Sequence, residues 1–107
     1  MDYLGNAFSM QMCKHDGEVI IHRKPLTQPE FALAIPKCES VIGHQDMCNV
    51  LKEMFGEEVA CNRVSSELKP GDVLYLAQYT GPRLPEGATS LPEGAVIKFY
   101  AVTVEFV

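Results

Sequence analysis

Apolar and polar positions change period along the chain, and each change marks an element. Met47, Val50, Leu51, Met54 and Phe55 recur at i, i+3, i+4, i+7 and i+8, the stripe of an amphipathic helix. Gln45, Asp46, Asn49, Lys52 and Glu53 take its other side, and Gly56 supplies the residue that stops it. The approach is Val41-Ile42-Gly43-His44. His44 leads Met47 by three residues, so it is expected on the sheet side, at the open end of the helix. A second helix is predicted from Thr27 to about Ile35. Thr27 and Glu30 have capping-box spacing, Pro29 falls in the first turn where proline is tolerated, and Pro36 forces a stop.

Strand signals fill the rest. Tyr3 to Asn6 reads as a short first strand, and Glu18 to Arg23 as a second, with Val19-Ile20-Ile21 at its centre. Leu68-Lys69-Pro70-Gly71-Asp72 is a turn. Val73 to Thr80 is apolar on both faces until Gln78, the pattern of a central strand. Val96 to Phe106 reads as the last strand. Gly81 to Ala95 between them is long for a small domain, and such connections are often functional. It contains Leu84-Pro85-Glu86-Gly87 and again Leu91-Pro92-Glu93-Gly94, a duplication too short to predict a structural repeat. The expected class is α/β, with α+β as the alternative. About five strands would form a mixed sheet under two main helices, in one domain spanning residues 1–107.

Composition narrows the function. Formal net charge is −5 and the basic residues are scattered, so no basic stripe for duplex DNA is expected. A binding anion should be compact. No apolar run approaches the roughly 18–20 residues of a membrane span, and Met1-Asp2-Tyr3 does not open a secretory signal. A cytoplasmic location follows as an expectation: a prokaryotic cell, or the host cytoplasm for a virus-encoded copy. Cys13, Cys38, Cys48 and Cys61 form no CxxC pair and are expected as free thiols. His44 and Cys48 are four apart on a helix, but no second local pair completes a metal site. No metal and no cofactor are therefore expected. His15 and His22 are read as surface residues.

His44 carries the candidate chemistry. At a helix N-terminus it lies beside backbone N–H groups that lack intrahelical acceptors, which favours an anion. Arg63 and Arg83 offer phosphate partners, since a guanidinium matches phosphate oxygens in a fork. Taken singly, each of these residues also has an ordinary structural role: His44 as a cap, Ser9 as a cap, Arg63 as an ion-pair member, Arg83 and Glu86 as solvated loop residues.

Their order along the chain is more specific. Asn6-Ala7-Phe8-Ser9, Ile42-Gly43-His44, Asn62-Arg63-Val64, Lys69-Pro70-Gly71-Asp72-Val73, Ala77-Gln78, Gly81-Pro82-Arg83-Leu84-Pro85-Glu86-Gly87 and Phe99-Tyr100 follow one another in the sequence. In this the chain resembles the viral and prokaryotic anti-CRISPR ring nucleases, long catalogued as a small domain of unknown function in archaeal viruses. The resemblance implies a homodimer that closes over cyclic tetraadenylate, the ring-shaped messenger of type III CRISPR systems. It implies metal-independent cleavage by attack of a ribose 2′-OH, leaving 2′,3′-cyclic phosphate ends. It matches His44 to the catalytic histidine, Ser9 to the serine after the first strand, Arg63 to the arginine before the central strand, and Arg83 with Glu86 to the Arg-x-x-Glu pair.

These roles suit the residues. An imidazolium can give the departing 5′-oxygen its proton. Arg83 can meet charge growing on the phosphoryl oxygens. Glu86 repels phosphate, so its place is to orient His44 or Arg83 or to accept a ribose hydroxyl. Ser9 is a neutral donor, and Gly43 permits close approach of backbone to ligand. Asn6 and Gln78 are candidate pocket residues. Two other readings stay open from the residues alone: a protein that sequesters a cyclic oligonucleotide uncut, and a structural or regulatory protein that binds nucleic acid.

Overall fold

The computed structural model describes residues 1–64 and 66–107. Five strands form one mixed sheet in the order β2-β5-β4-β1-β3. They are β1 (Asp2–Gly5), β2 (Val19–Leu26), β3 (Glu39–Ser40), β4 (Val73–Thr80) and β5 (Val96–Phe106). β1 lies between β3 and β4 and runs parallel to both, whereas β5 pairs antiparallel with β4 and β2. Helices α1 (Gln28–Ala34) and α2 (Gln45–Phe55) are the two main helices, as expected.

Alternation along the strands creates two cores. Tyr75, Ala77 and Tyr79 of β4 share a face with Phe99 of β5, and α1 and α2 cover it with Phe31, Met47, Cys48 and Leu51. The opposite residues, Leu74 and Leu76 with Tyr100, Val102 and Val104, are covered by Leu68, Phe8 and a single 3-10 turn over Met10–Met12. Three rings tie both helices to the sheet: Phe31 lies 4.6 Å from Phe99 and 5.6 Å from Phe55, and Phe55 lies 5.6 Å from Phe99, edge-on. Aromatic pairs at such separations contribute beyond their area burial.

The helix ends follow the local chemistry. Thr27 accepts from the Glu30 N–H at 3.3 Å while the Glu30 carboxylate accepts from the Thr27 N–H at 2.9 Å. That N–H holds the Glu30 carboxyl below its ordinary value. α1 ends before Pro36, and Ile35–Lys37 continue as one 3-10 turn. Gly56 takes φ 68, which a glycine adopts without strain, and donates to the Lys52 carbonyl at 2.8 Å.

Four details depart from the expectations. β2 runs on to Leu26 through Pro25, which faces Tyr100. The missing N–H is harmless because β2 is an edge strand. β3 is only two residues long and has no apolar pattern to announce it. It is held by its surroundings: Ser40 Oγ donates to the Ala60 carbonyl at 2.6 Å, and Asn62 Nδ2 donates to the Ser40 carbonyl at 3.1 Å. His15 is half-buried rather than a simple surface residue. Its ring stacks on Phe106 at 4.4 Å and its Nε2 lies 3.1 Å from the Val107 carbonyl, whereas His22 is exposed beside Glu105. The duplicated tetrapeptide does recur as structure. The Ala88 N–H donates to Pro85 and the Ala95 N–H to Pro92, at 3.0 and 3.1 Å, and Gly87 and Gly94 take φ 81 and 82. Both are β-turns whose third residue must be glycine-like.

No helix of the described residues is long and apolar enough to cross a membrane. All four cysteines are free. Burial pushes the Cys38 thiol up to about 11, and burial together with the neighbouring Cys61 pushes Cys48 up to about 12.

Two outcomes are expected. Leu51 is fully buried under the sheet, so Leu51→Ala should lower stability by about 2–5 kcal/mol, read from urea midpoints at unchanged slope. The Cys48 thiol ionises near its ordinary 9.0 when unfolded and near 12 when folded. Between those values the folded chain binds more protons, so stability falls as pH rises through that window. Cys48→Ala should flatten the fall in a pH series of urea titrations.

Candidate functional site

Because β1, β3 and β4 run parallel, their carboxyl ends open on one edge of the sheet. Open sheets of this kind bind ligands at that edge. Asn6 follows β1 there, Val41 to His44 follow β3, and the loop carrying Arg83 and Glu86 follows β4.

His44 is the N-cap of α2. Its backbone is extended (φ −111, ψ 114) and its carbonyl accepts from the Cys48 N–H at 3.2 Å. Its side chain makes no capping bond and is exposed, although Met47 three residues on is buried. The imidazole therefore stands at the mouth of the helix face and does not continue the buried stripe. It forms a wall between two cavities, and Asn6 borders both.

The larger cavity is about 810 Å³ and brings Arg83 and Glu86 to His44, with Asp46 and Tyr79 alongside. The smaller is about 490 Å³ and brings together Ser9, Gly43 and Arg63 with Lys14. Both volumes suit a small-molecule ligand. Among the predicted residues, only Gln78 stands apart. It is exposed on the face opposite the helices, in a third cavity of about 420 Å³ with Arg23, Phe8 and Asn6.

Three residues acquire a local role. Ser9 caps the 3-10 turn: its Oγ accepts from the Gln11 N–H at 3.3 Å. Its hydroxyl proton stays available to a ligand, since a hydroxyl both donates and accepts. Gly43 lines the smaller cavity and also gives room to a side chain of this chain. A Cβ there would lie 3.0 Å from Arg63 Cγ. Arg63 thus lies across Gly43, one residue from His44. The segment is fixed by Asn62, whose N–H donates to the Ile42 carbonyl at 2.8 Å.

Asp46 and Tyr79 escaped the sequence reading. Asp46 falls on the polar side of the helix pattern and Tyr79 on an apolar strand, so neither spacing marks them as parts of a site. Asp46 Oδ1 accepts from the Gly87 N–H at 3.0 Å, and the Tyr79 hydroxyl donates to the Pro82 carbonyl. These two bonds moor the ends of Pro82–Gly87, placing Arg83 and Glu86 over the start of α2. Among the described residues no three His, Cys, Asp or Glu side chains converge as metal ligands would.

Asp46→Ala should release this mooring. One such exposed bond contributes about 1 kcal/mol, so amide exchange at Gly87 and Ala88 should rise roughly fivefold while the urea midpoint holds. Unchanged exchange at both amides would show that Tyr79 alone fixes the loop.

Comparison with solved structures finds the same fold in B116 of Sulfolobus turreted icosahedral virus (STIV). The TM-score is 0.80 at 26% identity, over 95% of this chain and 97% of that one. No curated protein matches the sequence. The sequence pattern of the family described as STIV B116-like matches residues 2–100. With nearly the whole chain spanned, this protein is a member of the STIV B116-like family.

Proposed function

We propose that the protein is a metal-independent ring nuclease that opens cyclic tetraadenylate, with His44 as general acid. The observation that carries this reading is the position of His44: an exposed imidazole without a capping bond, walling two cavities that between them hold Arg83, Glu86, Arg63 and Ser9. A phosphodiester at that wall meets a proton donor, hydrogen-bonding cations and the leading N–H groups of α2 together.

In the proposed step the ribose 2′-oxygen attacks the adjacent phosphorus. The bond from phosphorus to O2′ forms, the bond to O5′ breaks, and the His44 imidazolium gives its proton to O5′. Glu86 accepts the proton of the attacking hydroxyl. Arg83 meets charge on the phosphoryl oxygens. Loop mooring by Asp46 and Tyr79 supplies the positioning that in-line attack demands. The products are linear, with 2′,3′-cyclic phosphate ends.

A two-fold ring suits an isologous dimer, in which each subunit contributes one His44. The protein is proposed to act as such a homodimer.

The test is product chromatography with cyclic tetraadenylate in excess chelator. Cleavage should persist, and His44→Ala should lower its rate by about 10²–10⁴-fold. Arg83→Ala should lower it without abolishing binding. Undiminished cleavage by His44→Ala would remove the acid role. Tight binding with the ring recovered intact from the unaltered protein would replace cleavage by sequestration.

A further inference from the structure

The two cavities flanking His44 differ in charge. Alongside Arg83 the larger one carries two carboxylates, Asp46 and Glu86. The smaller carries Lys14 and Arg63 with neutral polar groups, and no Asp or Glu among its described walls. This runs against the composition, since the chain has 14 acidic residues to 9 basic ones. Nor does either cation lie within 4.0 Å of a carboxylate among the described residues, where the ion pairs are those of Met1, His22 and Lys52.

Lys14 is also rooted. The Met12 carbonyl before it accepts from the Leu68 N–H at 2.8 Å, and Cys13 packs into the second core. The His15 ring after it stacks on Phe106. The chain is therefore anchored on both sides of a lysine that borders the cavity. Arg63 is positioned independently, across Gly43. Two cations on separate anchors thus border one cavity that has no carboxylate among its described walls.

We propose that Lys14 adds a second cation beside Arg63, which the family resemblance already gives to the ligand, and that the two together hold a phosphate adjacent to the one being cut, on the side of His44 away from Arg83. The proposal rests on His44 acting at a phosphodiester. It adds that the ligand carries at least two successive phosphates, one in each cavity. The carboxylate-bearing cavity then faces the hydrogen-bond donors of the scissile nucleotide, and the cationic one a neighbouring phosphate. Lys14 is a binding residue here and takes no part in the proton transfers.

The test uses the full chain carrying His44→Ala, so that ligand stays intact, with cyclic and linear tetraadenylate as probes across a salt series. Lys14→Met should weaken binding of the ring about tenfold. It should also flatten the slope of log affinity against log salt by about 1.4–2, because a two-fold dimer on one ring loses one phosphate contact from each subunit. Lys14→Arg should restore both. The losses from Lys14→Met and Arg83→Met should add, because they fall on different phosphates. Ring binding with the slope unchanged by Lys14→Met would overturn the subsite while leaving the ring-nuclease reading intact. Strongly sub-additive losses would place both cations on one phosphate and also overturn it. If linear tetraadenylate binds with the Lys14 dependence and the ring does not, the subsite stands and the ring reading falls. No binding of either probe to the chain would overturn both.

Discussion

The contact among Phe31, Phe55 and Phe99 decides where everything else can sit. α2 ends at Phe55 and is capped at its start by His44, so the ring at its far end sets the height and direction of the helix above the sheet. Met47 and Leu51 complete the seating along its length. With that face fixed, His44 arrives at the edge where β1, β3 and β4 finish. The segment 60–63 is drawn in beside it by Ser40 and Asn62. The same aromatic contact that stabilises the core thus aims an exposed imidazole that contributes nothing to it.

Periodicity revealed what depends on burial, and little of what depends on long-range hydrogen bonds. The stripe of α2, the capping box of α1 and the apolar run of β4 are properties of neighbouring residues, and all three elements form within a residue or two of the expected bounds. β3 carries no such signal, because Glu39 and Ser40 become a strand only through partners at residues 3 and 4 and bonds from residues 60 and 62. His44, Arg83 and Glu86 could be nominated from residue type, helix-start context and the ordered motifs. That they share a cavity depends on Asp46 reaching Gly87, a contact across 41 positions that no local pattern encodes. Gly43 shows the same limit. A glycine before a histidine suggested room for a ligand, and nothing local foretold that Arg63 would also lie against it.

Charge is sorted more finely than the net −5 implies. Around His44 the acids collect on the side of the long loop and the cations without acids on the side of the 3-10 turn. An imidazole between them faces two unlike electrostatic surroundings within one side chain's reach. In such a partition the nearby fixed charges outweigh the distant screened ones in setting the local field.

The doubled turn in the loop bears on how this architecture can change. Leu84 to Ala88 and Leu91 to Ala95 are the same bend made twice, each closed by its own proline carbonyl and glycine. The first copy is pinned to α2 through Gly87, while the second delivers the chain to β5. Anchoring and delivery are therefore separate modules, and the span between them carries neither duty. Its length is set by neither: a change there leaves intact both the bend that bears Glu86 and the moored segment Pro82–Gly87 that carries Arg83. The reach of the loop over the cleft can thus vary while the side chains at its foot keep their places.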